Sequence, residues 1–232
     1  VFSGAPITAD AIRPVRVQAG DAEIEVAGEL DGNLQGFGRR FWGRVREGHA
    51  ATQMLLDDVS SDVMTIGYRA RYLFTPISVA LLAEVVCGLR EEVGLARWDV
   101  SETSIFTANR RVGSANTIRN TVWADWLDME TRNRAIIATF GYLGVTAKVQ
   151  SGETAALGHG RLLEIRWSSG KTLTVRLDQG VSYWRASSAN RREACFFDVN
   201  ARDDEENGQA LAELALRIEG SALPTQLFVK VR

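Results

Sequence analysis

Lysine is almost missing from this 232-residue chain: Lys148, Lys171 and Lys230 are the only three, and the other 24 of its 27 basic residues are arginine. Histidine and cysteine are as scarce, with two of each. Cys87 and Cys195 stand alone, without a CxxC pair, which excludes a disulfide-stapled scaffold and a cysteine-built zinc site. Isolated thiols suit a reducing compartment, so the expected location is the cytoplasm. No run of 18 apolar residues occurs, and no segment is predicted to span a membrane. Neither GxxxxGKS/T nor GxSxG is present, so Lys171 is not a P-loop lysine and no serine sits on a nucleophile elbow. No cofactor and no metal are expected.

A strong charge of either sign is lacking as well. The formal net charge is -2 and the pI about 5.8, a balance that advertises neither nucleic acid nor an anionic membrane through bulk electrostatics. No basic amphipathic helix is predicted to lie on lipid, so a membrane partner is not expected. With 45% hydrophobic and 24% charged residues, the chain has the composition of a globular protein and the length of one large domain or a domain with an appendage. Its first residue is Val1, and a module of a larger protein is expected. The arginine bias has two readings: genome base composition, or contacts to phosphate and carboxylate, where a planar fork outperforms an ammonium.

What is present reads as alternating elements. Val15, Val17, Ile24 and Val26 alternate with polar residues about an Ala19-Gly20-Asp21 turn, a hairpin pattern within a small β-rich N-terminal extension, residues 1–32. One or two helices are predicted over 37–59, a strand at 63–68 (VMTIGY), and a helix over 77–95 with Pro76 in its first turn. A second strand follows at 98–107, helix again within 116–143, and a third strand at 145–149. That order argues for an α/β layer with right-handed crossovers and parallel strands. The character then changes: 161–167 and 172–177 alternate around Ser168-Ser169-Gly170-Lys171, a hairpin, and a last strand is predicted at 226–231.

Few residues carry chemistry. His49 lies in the polar stretch Arg46-Glu47-Gly48-His49 and is expected to be solvated. His159 stands between two glycines at the start of the hairpin, with an accessible ring, and could attack a phosphodiester or protonate a leaving group. Arg110 and Arg111 follow the second strand, at the carboxyl end where α/β sheets place ligand crevices. The pairs Arg39-Arg40 and Arg191-Arg192 are further phosphate-contact candidates, and Asp203–Glu206 reads as a solvated acidic turn. Trp123 and Trp126, at helical spacing, read as core or as a stacking or protein-docking face.

Three segments resemble one family. His159-Gly160-Arg161-Leu162, then Ser169-Gly170-Lys171-Thr172-Leu173-Thr174-Val175, then Asp178-Gln179-Gly180-Val181-Ser182-Tyr183-Trp184, together with residues 63–73 (VMTIGYRARYL, Tyr72 matching the family's tyrosine), are similar to the phospholipase-D-like domain at the C-terminus of MIT-domain proteins. The resemblance covers about residues 37–200 and implies a phospholipase-D-like mixed sheet flanked by helices over residues 33–232. Phospholipase-D-like enzymes use H-x-K-x(4)-D, with the histidine as nucleophile and the lysine on phosphate. Here Arg161 holds the lysine's place and Arg166 the aspartate's, and one motif is present where such enzymes pair two.

The resemblance therefore implies a degenerate scaffold that binds a phosphodiester backbone, foremost nucleic acid, as part of a bacterial helicase-associated or defence protein with a helicase or other protein partner. Arg161 is the inner phosphate contact, with His159 beside it, and Arg69, Arg71, Arg110 and Arg111 are the rim. The alternatives are a metal-independent nuclease or phosphodiesterase with His159 as catalytic residue, a homodimer supplying the second half-site, and a module that docks a protein or a phosphoinositide membrane. Strand parity puts His159, Arg161 and Leu163 on one face, if the strand is regular, and Arg166 on the other.

Overall fold

A computed structural model describes residues 23–26, 30, 35–71, 73, 76–109, 129–153, 161–178, 180–181 and 226–232. They form a mixed seven-stranded sheet with four α-helices. The strands are β1 (Ile24–Val26), β2 (Val63–Ala70), β3 (Thr103–Ala108), β4 (Ala147–Gly152), β5 (Arg161–Trp167), β6 (Thr172–Leu177) and β7 (Leu227–Val231). The helices are α1 (Phe37–Gly48), α2 (Ala50–Asp57), α3 (Pro76–Val93) and α4 (Met129–Tyr142). The first arm of the expected N-terminal hairpin lies outside the described residues. Its second arm, β1, pairs antiparallel with β7 and is the outer strand of the same sheet.

The order β1-β7-β6-β5-β2-β3-β4 divides the sheet in two. On one side β2, β3 and β4 are parallel, as their alternation with helices predicts. On the other, β5, β6, β7 and β1 form an antiparallel run. The β5–β6 hairpin turns through Gly170, whose φ of +83° is a left-handed conformation that glycine adopts without steric cost. β2 joins the halves by pairing antiparallel with β5, with a register irregularity between Val63 and Thr65.

Alternation along each strand separates two faces. Ile66, Tyr68, Ile105, Leu163, Ile165, Trp167, Leu173 and Val175 are buried in the core, whereas Thr65, Arg69 and Arg166 are exposed on the opposite side. The helices form one connected layer over the buried face, α1 against α2 and α3, and α3 against α4. In α1 the buried residues Phe37, Gly38, Phe41, Trp42 and Val45 recur at helical spacing and make a single stripe. Residues of α3 are buried nearly all round, which explains a sequence without an obvious polar face.

Two glycines set the α1–α3 contact. A Cβ on Gly38 would come within 1.9 Å of the Glu84 carbonyl oxygen, and one on Gly88 within 2.6 Å of the Gly38 carbonyl carbon. Backbone thus lies on backbone, and Trp42 Nε1 donates to the Val85 carbonyl at 2.6 Å beside it. Gly43 on the same helix α1 has open space where its Cβ would be. Chemical denaturation should therefore separate the two sites. Gly88→Ala is expected to cost about 1–3 kcal/mol by overpacking, and Gly43→Ala to stabilise by about 0.5–1 kcal/mol through helix propensity. Equal effects would mean that the helices do not meet at Gly38 and Gly88.

Candidate functional site

The strand directions bring several chain ends to one edge. β2, β3 and β4 finish there, β5 starts there, and β6 finishes there, because Arg161 pairs with Leu177 and Arg69 with Leu162. On the helix side of this edge stands Arg161. It shares its face with Leu163 and Ile165, while Arg166 is exposed on the other, so the expected parity holds for Arg161, Leu163 and Arg166, the described members of that set. The Arg161 Nη1 donates to the Asp178 carbonyl. Its stem lies against Gly180, where a Cβ would come within 2.3 Å of Arg161 Cδ and where φ is +63°. Gly180 is thus needed twice, for the turn and for the arginine. Tyr68, buried below, has a hydroxyl whose pKa is pushed above its ordinary value by burial; the Val181 amide and the Arg161 guanidinium oppose that shift more weakly.

The same edge holds an arginine that the sequence did not single out. Arg132, in the first turns of α4, is fully buried. Its Nη1 donates to the Ala108 carbonyl at the end of β3 (2.8 Å), and Nη2 to Ser151 Oγ near the end of β4 (2.9 Å). Asn133 Oδ1 accepts from Nε and Nη2 at 3.3 and 3.2 Å. One planar fork thereby ties a helix to two strand ends, a geometry no lysine could reproduce. Two further arginines do similar work: Arg97 donates to the carbonyls of Val93, Asp58 and Leu56, and Arg90 to those of Gly144 and Leu143. Part of the arginine bias is therefore architectural, a use that composition alone does not reveal.

The remaining candidates are dispersed. Arg69 points to the open face of the sheet, its guanidinium 5.3 Å from the centroid of Phe106, and so lies on the opposite face from Arg161. Arg71 is half-buried just past the end of β2. His159, Arg110, Arg111, Tyr72, Trp123, Trp126, Cys195, Arg191, Arg192 and Asp203–Glu206 lie outside the described residues. Arg39 is an exposed partner of Glu91 at 3.8 Å. Lys171 meets Asp58 at 3.5 Å. Cys87 is buried, and burial pushes its thiol up to about 11, which leaves it unreactive. Among the described residues no cluster of three or more His, Cys, Asp or Glu could hold a metal ion. No described helix is long and apolar enough to cross a membrane.

His49 is a correction. It is buried rather than solvated, at 5% exposure, because it is the single residue between α1 and α2 and serves as the N-cap of α2. Its Nδ1 accepts from the Thr52 amide at 3.2 Å and lies 2.7 Å from Thr52 Oγ1. A His-x-x-Thr spacing at a helix break was the available signal, but histidine is an uncommon cap and the polar neighbours Arg46 and Glu47 masked it.

The family described as "DEAD/DEAH box helicase YjiV, C-terminal domain" matches residues 20–231. No curated protein matches the chain.

The His49 cap makes stability depend on pH. An acceptor Nδ1 must be unprotonated, and burial holds the ring's pKa below its ordinary 6.5. The unfolded chain therefore takes up the proton first. The stabilisation is complete above that ordinary value and is lost as pH falls through the lower folded value. In urea titrations from about pH 8 to about pH 5.5 the midpoint should fall. His49→Asn, which keeps a capping oxygen but does not titrate, should fall less. Parallel pH profiles for the two proteins would remove His49 as the cause.

Proposed function

The chain belongs to the family of YjiV helicase C-terminal domains, and from that premise we propose that it is a helicase-associated module that binds the phosphodiester backbone of nucleic acid at the strand-end edge of its sheet. The observation that carries this reading is topological. Antiparallel pairing of β5 with β2 sets the start of β5, and Arg161 with it, beside the carboxyl ends of three parallel strands. That is where α/β sheets form ligand crevices. The chain leaves β3 directly toward Arg110 and Arg111 and approaches β5 through His159. Arg161 is the inner phosphate contact, held by Asp178 and Gly180. His159 lies two residues before it, and Arg71, Arg110 and Arg111 are the rim.

The phospholipase-D-like resemblance of this strand start supplies the chemistry, an arginine fork replacing a lysine on a phosphate oxygen. Binding is favoured over hydrolysis because Arg166, in the place of the motif's aspartate, faces the other side of the sheet and is paired with Glu164 at 2.7 Å. No carboxylate from that position orients His159. The partner that delivers the module to its substrate is the helicase to which such a domain is attached.

Fluorescence anisotropy with labelled single-stranded and duplex DNA and RNA tests the reading. Binding should weaken steeply with salt. Arg161→Ala should lower affinity for every sequence and reduce the slope of log K against log salt by about 1. If the intact protein binds none of the probes, the reading falls and a protein-docking role takes its place.

A further inference from the structure

The face of the sheet opposite the helices bears a row that the strand-end site does not use. Register places Phe228, Arg176, Leu162, Arg69 and Phe106 side by side across β7, β6, β5, β2 and β3. No described helix lies over them. Each phenylalanine has an arginine against its ring: Arg176 at 3.9 Å from the Phe228 centroid and Arg69 at 5.3 Å from that of Phe106. Their charges differ in state. Arg176 is gripped by both carboxylate oxygens of Glu23, at 2.9 and 2.8 Å. Likewise Arg166 is held by Glu164, and Lys148 lies 3.6 Å from Glu102. Arg69 is exposed, and among the described residues no carboxylate forms an ion pair with it.

The neighbouring row contains Glu164, Gly67 and Ser104. Glycine in the middle of a central strand is unfavourable, and it often marks a place where a ligand comes close. Packing does not require it here. Gly67 is absent from the positive-φ positions, and a Cβ on it would meet nothing within 4 Å. Over it lies a depression of about 200 Å³, lined by Gly67, Ser104, Arg69, Phe106, Leu162 and Glu164.

We propose that this depression seats an unpaired nucleobase, and that a single strand of nucleic acid lies across the open face of the sheet. This deepens the nucleic-acid reading and rests on it. The base stacks against the Phe106 ring, the Ser104 hydroxyl and the Glu164–Arg166 pair offer a donor and acceptors to its edge, and Arg69 reaches the adjoining phosphate. Charge complementarity selects this occupant, since an exposed guanidinium with no ion pair among the described residues, beside a partly exposed aromatic ring, suits an anionic backbone carrying stackable bases. A duplex, whose bases are already stacked and paired, cannot fill the depression without opening.

Gly67→Ile tests the proposal because it fills the depression with a strand-favouring side chain that meets open space. Its melting temperature should equal or exceed that of the parent protein. With a short fluorescein-labelled oligodeoxythymidine and a duplex of equal length, Gly67→Ile should lower the ratio of single-strand to duplex affinity about tenfold, and Phe106→Ala should do the same, each losing one stacked base. Single-strand affinity unchanged in both variants, while Arg161→Ala still weakens binding, overturns the base site and leaves the strand-end reading intact. An intact protein that binds neither probe overturns both.

Discussion

Antiparallel pairing between β2 and β5 is the constraint on which the rest of the molecule depends. Without it the chain would hold a three-stranded parallel layer and a separate antiparallel ribbon, each with an unpaired edge. The pairing joins them into one sheet and fixes parity across the seam. Because strand side chains alternate with a period of two, a slip of one residue would turn Leu163, Ile165 and Trp167 out of the core. The register that buries those three necessarily sends Arg161 to the helix side and Arg69, Glu164 and Arg166 to the open side. The two arginine settings are divided by the same rule that builds the core.

The two arginine settings that result differ in kind. Arg161 is half-buried, positioned by a main-chain carbonyl and by a glycine that makes room for its stem. That preorganisation lowers the entropy a long side chain would lose on meeting a phosphate. Arg69 is exposed, with its guanidinium over the Phe106 ring. The first arrangement suits a fixed contact at the end of the sheet, and the second a surface that tolerates different bases. Buried Arg132 belongs to neither class. Its donors are taken up by strand ends and by Asn133, and its role is to hold α4 against the edge that Arg161 occupies.

Much of the framework was legible in the sequence because it follows local rules. The 63–68 run, the hairpin about Ser169-Gly170 and the last strand all appear, β2 extending to Ala70 and the last strand at Leu227–Val231. The parity of Arg161 and Arg166 was readable for the same reason. Other features depend on long-range contacts that no local pattern encodes. Pairing of β1 with β7 joins residues some two hundred positions apart. Burial of His49 depends on how two helices meet at one residue, and that of Arg132 on carbonyls at the ends of β3 and β4. Gly67 has no role legible in the VMTIGY run itself. Only the placement of Ser104 and Glu164 on either side makes it part of the lining of a depression.

Photo-crosslinking tests the central claim most directly. A single strand carrying photoreactive thymines, irradiated with the intact protein and mapped by peptide mass spectrometry, reports which surface the nucleic acid touches. Adducts should concentrate in two regions, the peptide spanning His159 and Arg161 and the peptide containing Phe106. Adducts confined to the helical layer, on α1 and α3, would contradict the account, since neither proposed contact lies on those helices.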